Sequence, residues 1–410
     1  EDRSFYEVCD DLGLMVWQDF LFACACYPEE EPLYSEVVAE ARENVVRLAP
    51  HPSLITWSGN NENLWLHGAM RWDQKEGGDL TWGERYYLET LPQIVAELDP
   101  SRPYQAGSPW SGSWEHLPND TDHGTFHSWE VWNREDYVNY RDSAPRFVAE
   151  FGWQAPPAWT TLRDAISDDP MLPDSPGMLH HQKAEDGNGK LARGLAGHFG
   201  APAGVEAWHY LTQLNQVRAI RTGIEHWRSY WPHTGGAILW QLNDLWPGTS
   251  WAAIDGAGRY KPLYFELKSL YAPRGLTVQP RHGGLVVAVL NDSPEPWSGR
   301  LAVQRRTAAG DVRATWDAPV DVPARQVSTV EIPPAVTVFG DGELLVAELN
   351  EVRALWFDVQ DGDFPNSDAG LTVIADPVPG GLDVRVQAEG LARDLLLQAD
   401  RIHPEAVADR

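Results

Sequence analysis

The sequence predicts an α/β domain followed by all-β sandwich domains, on three observations. Short apolar, β-rich runs alternate with stretches of helical periodicity as far as about residue 272. After Tyr271-Ala272-Pro273-Arg274-Gly275 the texture changes to alternating strands between Gly, Pro and Asp-rich turns. The chain has 410 residues, more than one hydrophobic core usually supports.

In the first part the candidate strands are Leu14 to Trp17, Leu54 to Ser58, Tyr104 to Gly107, Thr125 to Ser128, Arg146 to Ala149 and Gly236 to Leu239. Ser35 to Leu48 carries apolar positions at helical spacing behind a Ser N-cap candidate, and Tyr86 to Leu98 does so before Asp99-Pro100 stops it. A third helix is expected from Ala207 to Tyr230. Asp168 to Gly204, rich in Pro, Gly, Asp and His, reads as an active-site loop or lid. This pattern suits a parallel barrel or a doubly wound sheet. In the second part, Gly284 to Leu290, Leu301 to Arg305, Ser328 to Ile332 and Leu344 to Ala347 alternate as sandwich strands. A linker-like run, Asp361 to Asp368, precedes Gly370 to Ala375 and Leu382 to Ala388, the expected opening strands of another sandwich.

Composition narrows the partners. Sixty acidic against 32 basic residues give a formal charge of −28, which repels phosphate backbones and anionic headgroups and argues against nucleic acid. No window approaches the ~18 uninterrupted apolar residues of a membrane helix. Cys9, Cys24 and Cys26 lie in apolar surroundings and read as packed, reduced thiols; neither a metal nor a cofactor is expected. The free thiols and the acidity point to the cytoplasm. The chain opens with Glu1-Asp2-Arg3-Ser4, without Met or an apolar signal segment, so its true start is expected elsewhere. The 20 tryptophans include Trp110, Trp114, Trp129, Trp132, Trp246 and Trp251 in polar loop stretches, where indoles suit the flat C–H faces of sugar rings.

Two glutamates close apolar runs. In His51-Pro52-Ser53-Leu54-Ile55-Thr56-Trp57-Ser58-Gly59-Asn60-Asn61-Glu62, a strand ends and small or amide residues then present a carboxylate. In Arg146-Phe147-Val148-Ala149-Glu150-Phe151-Gly152-Trp153-Gln154, Glu150 sits between apolar neighbours, where burial without function is costly. Such a pair is what a glycosidase needs: one protonated carboxyl serves the leaving oxygen, the other attacks the anomeric carbon, and retention follows at ~5 to 5.5 Å separation. Gly236 to Trp251 offers a third motif, a strand ending in Trp240 and an amide-rich, Trp-rich loop for stacking and hydroxyl contacts. Thr125-Phe126-His127-Ser128-Trp129 is a smaller version, with His127 either structural or in contact with substrate. His180-His181-Gln182-Lys183 is a further candidate for touching sugar.

These motifs resemble the β-mannosidases of glycoside hydrolase family two, in order and spacing, from Phe5 to about Pro273. Asp10 to Phe20 looks like that family's third barrel strand, Asn61-Glu62 like its fourth-strand acid/base motif, Glu150-Phe151-Gly152-Trp153-Gln154 like its seventh-strand nucleophile motif, and Trp240 to Pro247 like the end of strand eight. The resemblance implies a (β/α)8 TIM barrel, strands three to eight, over residues 1–273. An immunoglobulin-like β-sandwich over 274–368 and the start of a second over 369–410 complete the expected domains. It implies Glu62 as general acid/base, Glu150 as nucleophile, Asn61 on the sugar 2-hydroxyl and Trp240 beneath the ring, with Trp129, Asp244 and Trp246 as further substrate contacts. The implied substrate is a terminal, non-reducing β-D-mannoside or an oligosaccharide bearing one. Relatives carry two sandwich domains and two barrel strands before the point matching residue 1, so the chain by itself is expected to leave its barrel open. A galactosidase, glucuronidase or glucosaminidase shares the two glutamates, and a non-catalytic sugar-binding protein shares the Trp-rich loops.

Overall fold

The structure, a computed structural model, describes residues 1–68, 81–359, 361–365 and 369–408. The linker expected from Asp361 to Asp368 therefore falls partly outside the described residues. Two compact units are present. One holds Glu1–Ser128, Pro145–Phe151 and Thr234–Ile238; the other holds Trp129–Ala144, Gly152–His233 and Leu239–Arg410.

The first unit is built on parallel sheets. Val16–Asp19 (β1), Leu54–Ser58 (β2) and Tyr104–Gln105 (β3) form one, in that order. Phe126–Ser128 (β4), Val148–Phe151 (β5) and Ala237–Leu239 (β6) form another, again in order. All six expected runs are strands, though each starts or stops within about two residues of its expected bounds. Isolated parallel bridges, Ala23 to Asn61 and Asn61 to Ser108, carry pairing past the ends of the first sheet.

Parallel neighbours need crossovers, and helices supply them. Leu33–Leu48 links β1 to β2 and buries Ala41, Val45 and Leu48, one stripe of a helix surface. It starts earlier than expected, behind Pro32, and Ser35 instead donates its hydroxyl to Glu31 at 2.8 Å. A π turn at Tyr86–Thr90 runs into the helix Leu91–Leu98 before β3. Phe20, Val45, Leu54, Trp57, Leu91 and Val95 share the resulting core. Beneath it, Arg102 donates to the carbonyls of Ala49 (2.9 Å), His51 (2.6 Å) and Leu54 and to the buried Asp99 carboxylate at 2.8 Å. Asp99 also accepts from the Trp57 indole at 3.0 Å. We expect Arg102→Ala to cost about 3–5 kcal/mol, because it strands a buried carboxylate and three carbonyls at once; a denaturant melt showing under about 1 kcal/mol would rule that account out.

In the second unit the helix Val205–Arg228 is buried on most of its faces. The segment from Asp168 to Gly204, expected as a loop or lid, instead contains the helices Pro176–His180 and Gly187–Ala196. Three glycines in the latter mask its periodicity, and burial of Leu191 and Leu195 offsets their propensity cost. Gly194 is required there, since a Cβ would lie 2.5 Å from the Trp153 ring and 2.9 Å from the Asn215 amide.

Seven strands follow: Arg274–Arg281 (β7), Gly284–Asn291 (β8), Trp297–Thr307 (β9), Val312–Val322 (β10), Gln326–Glu331 (β11), Glu343–Leu349 (β12) and Val352–Phe357 (β13). They form antiparallel sheets ordered β11-β8-β7 and β10-β9-β12-β13 around a shared core of Leu276, Val287, Val289, Trp297, Leu301, Val303, Leu345 and Ala347. The expected sandwich texture is present, with β7, β10 and β13 added. Thr372–Val378 (β14) and Gly381–Gln387 (β15) make a mostly exposed hairpin.

Candidate active site

The first carboxylate is placed by a tight turn after β2. A Cβ on Gly59 would lie 2.3 Å from the Tyr104 hydroxyl and 2.4 Å from the Ala106 carbonyl, so the turn needs glycine to approach β3. Asn60 then donates to the Ala106 carbonyl at 2.8 Å and accepts from the Asn63 amide at 2.9 Å. Glu62 leaves this turn with φ +66°, a left-handed conformation that costs about 1–3 kcal/mol for a residue with a Cβ. Its amide is held by the Ser108 carbonyl at 2.8 Å.

The second carboxylate is placed by strand register. His127 on β4 is the Cα partner of Glu150 on β5, so the two side chains lie side by side on one face. Asn119, from the loop before β4, grips His127 with both ends of its amide: it accepts from the His127 N–H at 2.8 Å and donates to the His127 carbonyl at 2.9 Å.

The three side chains converge. His127 Nδ1 lies 2.8 Å from Glu62 Oε1 and 3.1 Å from Glu150 Oε2, and its Nε2 lies 2.6 Å from Ser108 Oγ. One ligand atom from each of Glu62, His127 and Glu150 fits within a mutual 4.8 Å. Both Nδ1 partners are carboxylates, so Nδ1 carries a hydrogen. Burial works against a charged imidazole, but the hydrogen bonds and charges of Glu150 and Glu62 outweigh it and hold the His127 pKa up at about 9. With the ring protonated, its Nδ1–H faces both glutamate side chains and its Nε2–H faces Ser108. A metal ion also fits this donor set geometrically; the imidazolium supplies the positive charge there itself.

Sequence reasoning missed several neighbours. Cys24 was expected as packing, yet it is exposed, and its thiol donates to Glu62 Oε2 at 3.3 Å. Burial of the sulfur and the carboxylates of Glu62 and Glu150 push this thiol up to about 12, which keeps it a proton donor. Asn61 lies beside it, its amide 3.7 Å from the sulfur. Burial also pushes the Asp19 carboxyl upward, against the indole N–H of Trp17 at 2.7 Å. Ser108 and Asn119 carried no signal in the sequence beyond their place in polar loops.

Of the remaining expected residues, Trp129, Trp240, Asp244 and Trp246 belong to the second unit. Trp129 meets Trp251 edge to face at 5.9 Å, and both crowd Gly152, whose missing Cβ would lie 2.3 Å from the Trp240 carbonyl. Trp240 is 43% exposed. Trp246 stacks on His181 at 4.8 Å, with Lys183 Nζ over its ring at 5.1 Å, so the His-His-Gln-Lys segment and the Trp-rich loop come together. The Trp246 indole N–H and one Asp244 oxygen are buried without a partner among the described residues.

No protein-family model matches the chain. Among curated proteins it is 34% identical to beta-mannosidase B of Aspergillus flavus over 296 residues, 69% of this chain and 35% of that protein. It is also 34% identical to beta-mannosidase B of Thermothelomyces thermophilus over 345 residues, 77% of this chain and 40% of that protein. Among solved structures it resembles the β-D-mannosidase of Dictyoglomus thermophilum, with a TM-score of 0.87 and 34% identity over 95% of this chain and 48% of that one. An Amycolatopsis orientalis exo-chitosanase shares the fold, with a TM-score of 0.68 at 18% identity. The chain thus spans between about a third and a half of the length of these relatives. By name the relatives belong to one class, the glycoside hydrolases. Within that class the chain belongs to family two, in its β-mannosidase type.

Proposed function

We propose that this protein is a retaining exo-β-glycosidase that removes terminal, non-reducing β-D-mannose from mannosides and oligosaccharides. The observation that carries the reading is the convergence of Glu62 and Glu150 on one nitrogen of His127, at 2.8 and 3.1 Å, which brings together two carboxyls from separate strand ends as a retaining pair at ~5 to 5.5 Å requires. Glu62 is the general acid/base and Glu150 the nucleophile. In the first step Glu62 protonates the leaving oxygen as its bond to the anomeric carbon breaks, and a Glu150 oxygen bonds to that carbon. In the second, Glu62 takes a proton from water, which attacks the same carbon and frees the Glu150 carboxylate.

That sequence starts from one proton shared by two carboxylates, and His127 stores it. The proton crosses the 2.8 Å contact to Glu62 Oε1 and leaves His127 neutral, still bonded to Ser108. Asn61 is assigned the 2-hydroxyl and Trp240 the face of the ring. Asp244 and Trp246 are assigned to sugar hydroxyls and Trp129 to a stacking contact. In this reading β1 to β6 are strands three to eight of a TIM barrel over 1–273, followed by an immunoglobulin-like sandwich over 274–368 and the opening strands of a second over 369–410.

The test is a panel of aryl β-glycosides on the full-length protein. We expect kcat/KM for the mannoside to exceed that for the galactoside, glucoside, glucosaminide and glucuronide by roughly a hundredfold or more. Preference for any other sugar, or turnover of none, would overturn the assignment.

A further inference from the structure

We propose that the loop between β3 and β4 carries a binding site for a divalent transition-metal cation of the Zn2+ class, formed by His116, Asp120 and His123. One ligand atom from each lies within 4.8 Å of the others. The two imidazoles face each other at 3.8 Å with 13° between their planes, and His123 Nδ1 lies 2.9 Å from Asp120 Oδ1. Two imidazoles and one carboxylate are the donor types that borderline cations prefer, and the carboxylate offsets half of the ion's charge.

The spacing follows from the turn. Asp120 Oδ1 also accepts from the Asp122 amide at 2.8 Å, which folds His123 back over its own chain towards His116. The loop is closed at its base by the antiparallel bridge from Trp110 to Thr125 and by Gly124 at φ +63°, whose missing Cβ would lie 2.0 Å from the Trp110 carbonyl. A tetrahedral ion holds its ligand atoms roughly 3.3 Å from one another and needs the two stacked rings turned so that their in-plane lone pairs meet it, a rearrangement that exposed side chains make by rotation. His123 is 45% exposed and Asp120 28%, leaving room for water in the remaining coordination position. The set lies away from the cysteines, in the spacing His-x3-Asp-x2-His.

The position gives the ion something to do. Asn119, which holds both backbone groups of His127, sits between two of the three ligands. Binding would stiffen the segment that holds β4. The site stands whether or not the sugar assignment does, because it rests on other side chains.

Calorimetric titration of chelator-treated full-length protein with Zn2+ tests it. We expect one ion per chain and an affinity weakened at least tenfold in each of His116→Ala and His123→Ala. Zn2+ should also raise the Tm of the wild type but not of the double variant, whose Tm without metal should match that of the wild type. Absence of binding would overturn the proposal. So would undiminished uptake by the double variant, or uptake abolished instead by Glu150→Gln or Cys24→Ser, which would move the ion to the catalytic trio or to the thiols.

Discussion

Replacing Glu150 by alanine in the full-length protein is expected to lower turnover of an aryl β-mannoside by at least roughly three orders of magnitude. The substitution removes the atom that bonds to carbon, and Glu62, the other carboxyl on His127 Nδ1, is committed to the proton. The fold should hold, because His127 keeps its 2.8 Å contact with Glu62 and its 2.6 Å contact with Ser108. A small anionic nucleophile such as azide should restore turnover and give a product of inverted configuration. An active-site-directed fluoroglycoside should label Glu150 in the wild type and nothing in the variant. A loss below tenfold, or a label on another carboxylate, would remove Glu150 from the role.

The second large effect is at His127. His127→Ala leaves two carboxylates within 4.8 Å of each other with no cation between them. We expect kcat to fall by about a hundredfold. Stability changes too, with a definite sign. The folded pKa of His127, about 9, is above its ordinary 6.5, so folding favours the protonated ring. The stabilisation, about 3 kcal/mol, is complete below pH 6.5, shrinks as pH rises from there, and is gone above about 9. The Tm gap between wild type and variant should therefore close over that window, and the basic limb of the wild-type rate profile should fall near its upper end. A gap of constant size from pH 6 to 10 would mean that His127 is neutral in the folded protein.

The sequence showed the strands more clearly than the site. β2 was legible because Pro52 and Gly59 bracket a compact apolar run, and its observed span matches the expected one. β10 and β13 were not, since their exposed faces interleave charged with apolar residues. The helix Gly187–Ala196 was hidden by its own glycines, of which Gly194 is explained only by its packing against Trp153. At the site, a glutamate after an apolar run marked both carboxylates. That His127 touches both of them depends on β4–β5 register and on the left-handed turn at Glu62, and neither is a local property of sequence. Cys24 was misread for the same reason: its neighbour Glu62 comes from another strand end.

Glu62, His127 and Glu150 lie far apart along the chain, and each is aimed by a different device: a turn, an amide clasp and a strand pairing. No local folding event can assemble them, because closing those intervals must be complete before any pair is in reach. Recovery of enzymatic turnover during refolding would then lag recovery of helical signal, and would time the completion of the chain's topology.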